Sequence, residues 1–166
     1  MELKNIFQER VSPLKENTAV FQSHYAAYKY ASGFSKGKKV LDAGCGMGYG
    51  SAVLSENAFL CIGVDRCPEA VDFAKKTYKA DNLYFLGMAV EQLGFKDGAF
   101  DLISSLQVIE HLTDPVKYLN EATRVLDKDG VFIVSTPNKE RSGGSLNPLN
   151  PYHTREFSGR ELESLL

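Results

Sequence analysis

Apolar and polar positions along the chain alternate between two patterns. Lys38–Ala43, Phe59–Asp65, Leu83–Leu86, Phe100–Ser105 and Val131–Ser135 are short, nearly continuous apolar runs that read as buried strands. The stretches between them carry apolar residues at helical spacing, as in Ala70, Val71, Ala74 and Tyr78. Helices are predicted over Tyr49–Asn57, over Pro68–Ala80 and from Asp114-Pro115 through Leu126. Pro68 suits a first helical turn, and Asp114 suits an N-cap. Apolar strands separated by helices predict an α/β fold, a doubly wound and mostly parallel sheet with helices on both faces.

The flanks are less patterned. Residues 1–36 read as an N-terminal helical lead-in, with a helix over Ser23–Phe34 that ends near Gly33. Pro13 argues against one continuous helix from residue 3. Tyr25 and Tyr28 read as core residues, with cover of an active site as the alternative. The remaining residues, 37–166, form the expected ligand-binding domain. Asn138–Pro151 is rich in Gly, Ser, Asn and Pro and reads as a long loop. Ser158 is placed to cap a final amphipathic helix.

The most informative stretch is Val40-Leu-Asp-Ala-Gly-Cys-Gly-Met-Gly-Tyr-Gly50. A strand ends at Asp42, glycines follow at every second position from 44 to 50, and a helix-compatible segment comes next. Strand, glycine turn and helix form the ligand-binding end of a doubly wound sheet. The dinucleotide pattern G-x-G-x-x-G fails in both registers, because Tyr49 and Ser51 stand where its last glycine belongs. An NAD(P) oxidoreductase is disfavoured on that ground.

What stands is Asp-x-Gly-x-Gly-x-Gly, which resembles motif I of the class I S-adenosylmethionine (SAM)-dependent methyltransferases. That resemblance implies a Rossmann-like sheet and SAM as cofactor, with S-adenosylhomocysteine (SAH) as product. It implies cofactor contacts from Asp42, on the ammonium side, and from Gly44, Cys45 and Gly46. Asp65 matches the strand-two acid that bonds both ribose hydroxyls, and Arg66 flanks the adenine. Gly87–Phe95 resembles the adenine loop, with Met88, Ala89 and Val90 against the ring. Most members carry an acid where this chain has Met88, so adenine recognition is expected to be weaker or more tolerant. Phe100–Leu112 resembles motif IV, which puts Leu106 and Gln107 beside the methyl donor. Ser135–Asn138 and Asn150–Phe157 resemble a subset tied to small-molecule, quinone or sugar modification.

The family sheet has seven strands, whereas this sequence predicts five, so the last two are expected to be absent. An uncovered sheet edge predicts a homodimer.

Charge and composition narrow the partners. Net charge is −2 over 166 residues, so no basic excess points to nucleic acid. The sequence has no apolar run near the ~18 residues of a membrane span and no signal-peptide layout at its start. Cys45, Cys61 and Cys67 form no CxxC pair and fit a reducing cytoplasm.

The reaction implied is methyl transfer from the sulfonium to a small-molecule acceptor, and the alternative is a SAM-binding module that is non-catalytic or truncated. An oxygen acceptor often needs a general base. His111 and His153 are the candidates, each with a structural reading open beside the catalytic one, and His24 is a weaker third. Some related methyltransferases carry Glu-x-x-Glu-His here and bind a divalent metal completed by a later His. Gln107 replaces the first Glu ahead of Glu110 and His111, and an amide is a poorer hard-cation ligand. No metal is expected.

Overall fold

A computed structural model describes residues 18–141 and 152–166. The first part of the lead-in, with Pro13, and most of the Asn138–Pro151 loop lie outside the described residues.

Helix α1 (Ala19–Ser32) begins where the Thr18 hydroxyl accepts the Phe21 N–H at 3.2 Å. The alternation then runs β1 (Lys39–Ala43), α2 (Tyr49–Ser55), β2 (Leu60–Asp65), α3 (Pro68–Thr77), β3 (Leu83–Gly87) and β4 (Phe100–Leu106). A 3-10 turn (Ile109–His111), α4 (Pro115–Val125), β5 (Leu126–Ser135) and α5 (Gly159–Leu165) complete it. All strand pairs are parallel, in the order β3-β2-β1-β4-β5. The doubly wound α/β architecture expected from the sequence is therefore present, with five strands among the described residues.

Local chemistry accounts for the helix starts. Pro68 and Pro115 occupy first turns, and the Asp114 carboxylate accepts the Lys117 N–H at 2.9 Å. Ser158 and Glu161 form a capping box at α5.

Strand residues alternate between the two faces. Val40, Cys61 and Leu102 pack with Tyr28, Leu54 and Ala74, beneath α1, α2 and α3. Leu41, Val64 and Ile103 pack with Tyr118, Ala122 and Phe157, beneath α4 and the late segment. Helix α1 is thus part of the main core.

The predicted α4–β5 boundary needs correction. The sequence suggests a turn at Asp129-Gly130 before the strand, whereas β5 already begins at Leu126. Phe100 pairs with Leu126, but Leu102 pairs with Val131, so the extra residues bulge out between them. The Asp127 carboxylate accepts the Asp129 N–H at 3.0 Å and closes that bulge. The predicted turn is real, but it sits inside the strand. Helices α2 and α3 end two and three residues earlier than the periodicity suggests, at Ser55 and Thr77.

Candidate active site

The carboxyl ends of β1, β2 and β4 open into one cavity of about 370 Å³. That is within the ~300–1,000 Å³ range of small-ligand sites and lies where doubly wound sheets bind ligands.

One side of the cavity is the glycine turn. Gly44 and Cys45 donate their N–H groups to the Val64 carbonyl at 2.8 Å each, and Gly46 N–H reaches Asp65 Oδ2 at 2.9 Å. The turn is thereby fastened to the end of β2. Gly44 has φ +81°, and a Cβ there would strike the Val108 side chain. Gly48 has φ +86° and starts α2 against Ala74 and Phe85. These positions need glycine for backbone shape and for space. Asp65 Oδ1 accepts the Cys67 N–H at 2.8 Å. Both carboxylate oxygens therefore hold backbone while the residue lines the cavity.

Asp42 sits elsewhere. It is fully buried behind the turn and does not line the cavity. Its Oδ1 accepts the Tyr28 hydroxyl at 3.2 Å and its Oδ2 accepts the Ser51 hydroxyl at 2.6 Å. Burial pushes its carboxyl up to about 7, against the opposing pull of the two hydrogen bonds. The native state then keeps a proton through a window in which the unfolded chain has lost it. That contribution to stability is complete below the ordinary carboxylate range and disappears as pH rises through about 7. Between pH 5 and pH 8, wild type should lose stability relative to Asp42→Asn, by on the order of a few kcal/mol. Urea unfolding at both pH values measures it, and parallel behaviour of the two proteins refutes it.

The other side of the cavity follows β4. Leu106 ends the strand, and Gln107 has φ 60°, a left-handed conformation rare outside glycine. Its N–H donates to the Ser135 carbonyl at 2.8 Å and its side-chain amide to the Ser135 hydroxyl at 3.2 Å. This strained residue turns the chain so that Val108, Glu110, His111 and Leu112 line the cavity.

The late segment docks on that turn. Thr154 N–H and its hydroxyl both reach the Glu110 carbonyl, at 2.8 and 3.0 Å, and the hydroxyl also reaches the Leu112 carbonyl at 2.8 Å. Phe157 is buried in the core, with the Arg155 guanidinium 4.9 Å over its ring. His153 thereby meets His111, ring centroids 5.0 Å apart. Glu110 is fully buried; Oε2 accepts the Thr136 hydroxyl at 3.0 Å, while Oε1 has no hydrogen-bond partner. Burial raises its carboxyl above the usual range, partly offset by its backbone hydrogen bond, His111 and Thr136. Among the described residues, Glu110, His111 and His153 are the grouping with donor atoms all within 4.8 Å. Gln107, the position that would extend this set, is turned to Ser135 instead.

Most of the sequence-predicted residues converge here. Gly44, Cys45, Gly46, Asp65, Arg66, Val90, Leu106, Gln107, His111 and His153 all line the cavity. Asp42, Met88 and Ala89 do not. Met88 packs instead against the core, and Ala89 is exposed. Residues outside the expected cofactor and catalytic set also line it, among them Val20, Tyr28, Tyr49 and Glu91. Tyr28 combines the two readings open to it, because it is a core residue that also faces the cavity. Of the weaker candidates, His24 lines the cavity and Tyr25 does not. The His24 ring is half-buried near the Tyr49 hydroxyl at 3.4 Å, and burial lowers its pKa.

The fold and this cavity define a Rossmann-like protein with a ligand site at the carboxyl ends of its strands. Residues 41–134 match the methyltransferase domain family, and the chain belongs to that family. It is 38% identical over 160 residues to a Mycolicibacterium smegmatis protein named "Probable S-adenosylmethionine-dependent methyltransferase", covering 95% of this chain and 62% of that one. A Mycobacterium tuberculosis protein of the same description is 37% identical over 147 residues, covering 88% and 53%. The chain thus spans between half and two thirds of the length of these relatives. Among solved structures, the YcgJ protein of Bacillus subtilis superposes with TM-score 0.76 at 29% identity, over 86% of this chain and 66% of that one.

Proposed function

We propose that this protein transfers a methyl group from SAM to a small-molecule acceptor. One observation carries the reading: the glycine turn and Asp65 occupy one side of a single cavity, and His111 and His153 occupy the other. The turn and Asp65 suit the amino-acid and ribose parts of SAM, with Arg66 and Val90 flanking the adenine. The histidines stand where an acceptor would meet the methyl group. Transfer is an in-line displacement, so holding acceptor and methyl carbon in line supplies much of the rate. The family membership and the mycobacterial relatives support the SAM-dependent methyl-transfer part of this reading.

Calorimetric titration with SAM and with SAH tests it. Micromolar binding of both is expected, with a rise in melting temperature set by ligand excess over Kd. NADH binding without SAM binding would sink the proposal. Tight SAM binding without methylation of any acceptor would favour the runner-up, a binding module without catalysis.

Our proposals for metal and assembly follow the sequence reading. SAM binding should be insensitive to chelators, since Gln107, three residues before Glu110, offers an amide. A homodimer formed through the β5 edge should appear as a doubled mass in solution. We also propose a reducing cytoplasm as the compartment, which suits three free cysteines, two of them buried. No helix among the described residues is long and apolar enough to cross a membrane.

A further inference from the structure

Two of the three imidazoles on the cavity, His111 and His153, are supported differently. His111 Nδ1 lies 3.0 Å from the Tyr152 carbonyl oxygen. A carbonyl can only accept, so this nitrogen carries the proton and its partner is neutral. His153 Nδ1 lies 3.0 Å from Glu156 Oε1, and the two side chains are only 8% and 9% exposed. A carboxylate fixes the same tautomer, with Nε2 as the acceptor nitrogen, and also stabilises the ring once it is charged. The pair does not belong to a helix; residues 153–156 are irregular chain pinned by Thr154 and Phe157.

We propose that Glu156 is the positioning residue that makes His153, rather than His111, the general base, and that the acceptor atom is a hydroxyl oxygen. This rests on the methyl-transfer reading above. A hydroxyl is a weak nucleophile until its proton is accepted, whereas an amine lone pair attacks before any proton leaves. A buried histidine–carboxylate pair beside the methyl donor therefore suits an alcohol or a phenol. In the step, an oxygen lone pair forms the O–CH₃ bond. The S–CH₃ bond breaks, and its electron pair returns the sulfonium to a neutral thioether. The hydroxyl proton passes to His153 Nε2, giving an imidazolium paired with Glu156, and then leaves to solvent.

Among the described residues, Glu156 on its own segment and Glu110 and His111 on the turn after β4 face His153. Glu156→Gln keeps the size and removes the charge, and Glu156→Asp keeps the charge. The chain has three histidines, so 15N-labelled protein gives three sets of ring-nitrogen signals, read with SAH bound. In wild type the His153 ring should show the Nδ1–H tautomer, and in Glu156→Gln that preference should weaken. Glu156→Asp should restore part of it, and the His111 ring should change less. With SAM and catechol as the model hydroxyl acceptor, Glu156→Gln should lower kcat about tenfold or more at unchanged KM for SAM. Glu156→Asp should recover part of that loss.

An unchanged His153 tautomer signature in Glu156→Gln overturns the positioning role. Turnover that needs an added divalent cation and stops with chelator overturns the base role. A protein that binds SAM yet leaves catechol unmethylated counts against the hydroxyl assignment. Failure of the wild type to bind SAM or SAH defeats the methyl-transfer reading itself; the histidine tautomer signals without ligand still decide Glu156.

Discussion

Replacing Asp65 with alanine should weaken SAM binding by about two orders of magnitude, roughly 2.7 kcal/mol. The side chain has two tasks, and both are lost together. Its Oδ2 holds the Gly46 N–H and its Oδ1 holds the Cys67 N–H, so alanine leaves two backbone donors without their charged acceptor. Hydrogen bonds to a charged group contribute about 1.5–3 kcal/mol each. The glycine turn would loosen at the point where it is tied to β2, and the cavity would lose its acceptor for vicinal hydroxyls. Asp65→Asn separates the effects, because an amide keeps one acceptor oxygen and lacks the charge. Calorimetry with SAM reads the affinity, and urea unfolding reads how much belongs to the fold. An affinity within threefold of wild type would refute the assignment.

Phe157→Ala is the second large effect. The ring is 1% exposed and packs with Leu41, Ile103 and Tyr118 under the sheet. Removing a buried aromatic ring costs about 3–5 kcal/mol. The loss should also loosen the segment carrying Thr154, His153 and Glu156, since Phe157 is its anchor in the core. The expected pattern is a large drop in unfolding free energy, a modest drop in SAM affinity and a larger drop in turnover. The split follows from the geometry, because the glycine turn hangs from β1 and β2 while the histidines hang from Phe157 and the turn after β4. Equal losses in SAM affinity and turnover would mean that the late segment also holds the cofactor.

How much of this was legible beforehand depends on the range of the interaction. The strands were readable because each is a buried apolar run, and the glycine turn because its spacing is a local demand on φ. Asp65 was readable as the last residue of such a run. Burial of a single acid was not: Asp42 looks the same in sequence whether it meets a ligand or hides behind the turn. Its fate depends on Tyr28 and Ser51, 14 and 9 residues away. Met88, Ala89 and Val90 are all placed on the cavity by analogy of position, and of the three the chain presents Val90 to it. That loop is tied to α4 by Arg124, which donates to the Leu93 and Phe95 carbonyls. The Asp129-Gly130 turn misled because a bulge and a strand start use the same residues. Glu156 carried no signal at all, since its meaning comes from the docking of Thr154 on Glu110, 44 residues earlier.

The tyrosine over Gly50 sets a practical limit on cutting the molecule down. A Cβ at Gly50 would collide with the Tyr28 ring, whose hydroxyl also reaches Asp42. Helix α1 is therefore seated on the glycine turn itself. A minimal version begun at the first strand would expose an acid that the fold keeps dry and open one wall of the cavity. Anyone trimming this protein for crystallography or for grafting should keep helix α1 whole, with its Thr18 cap.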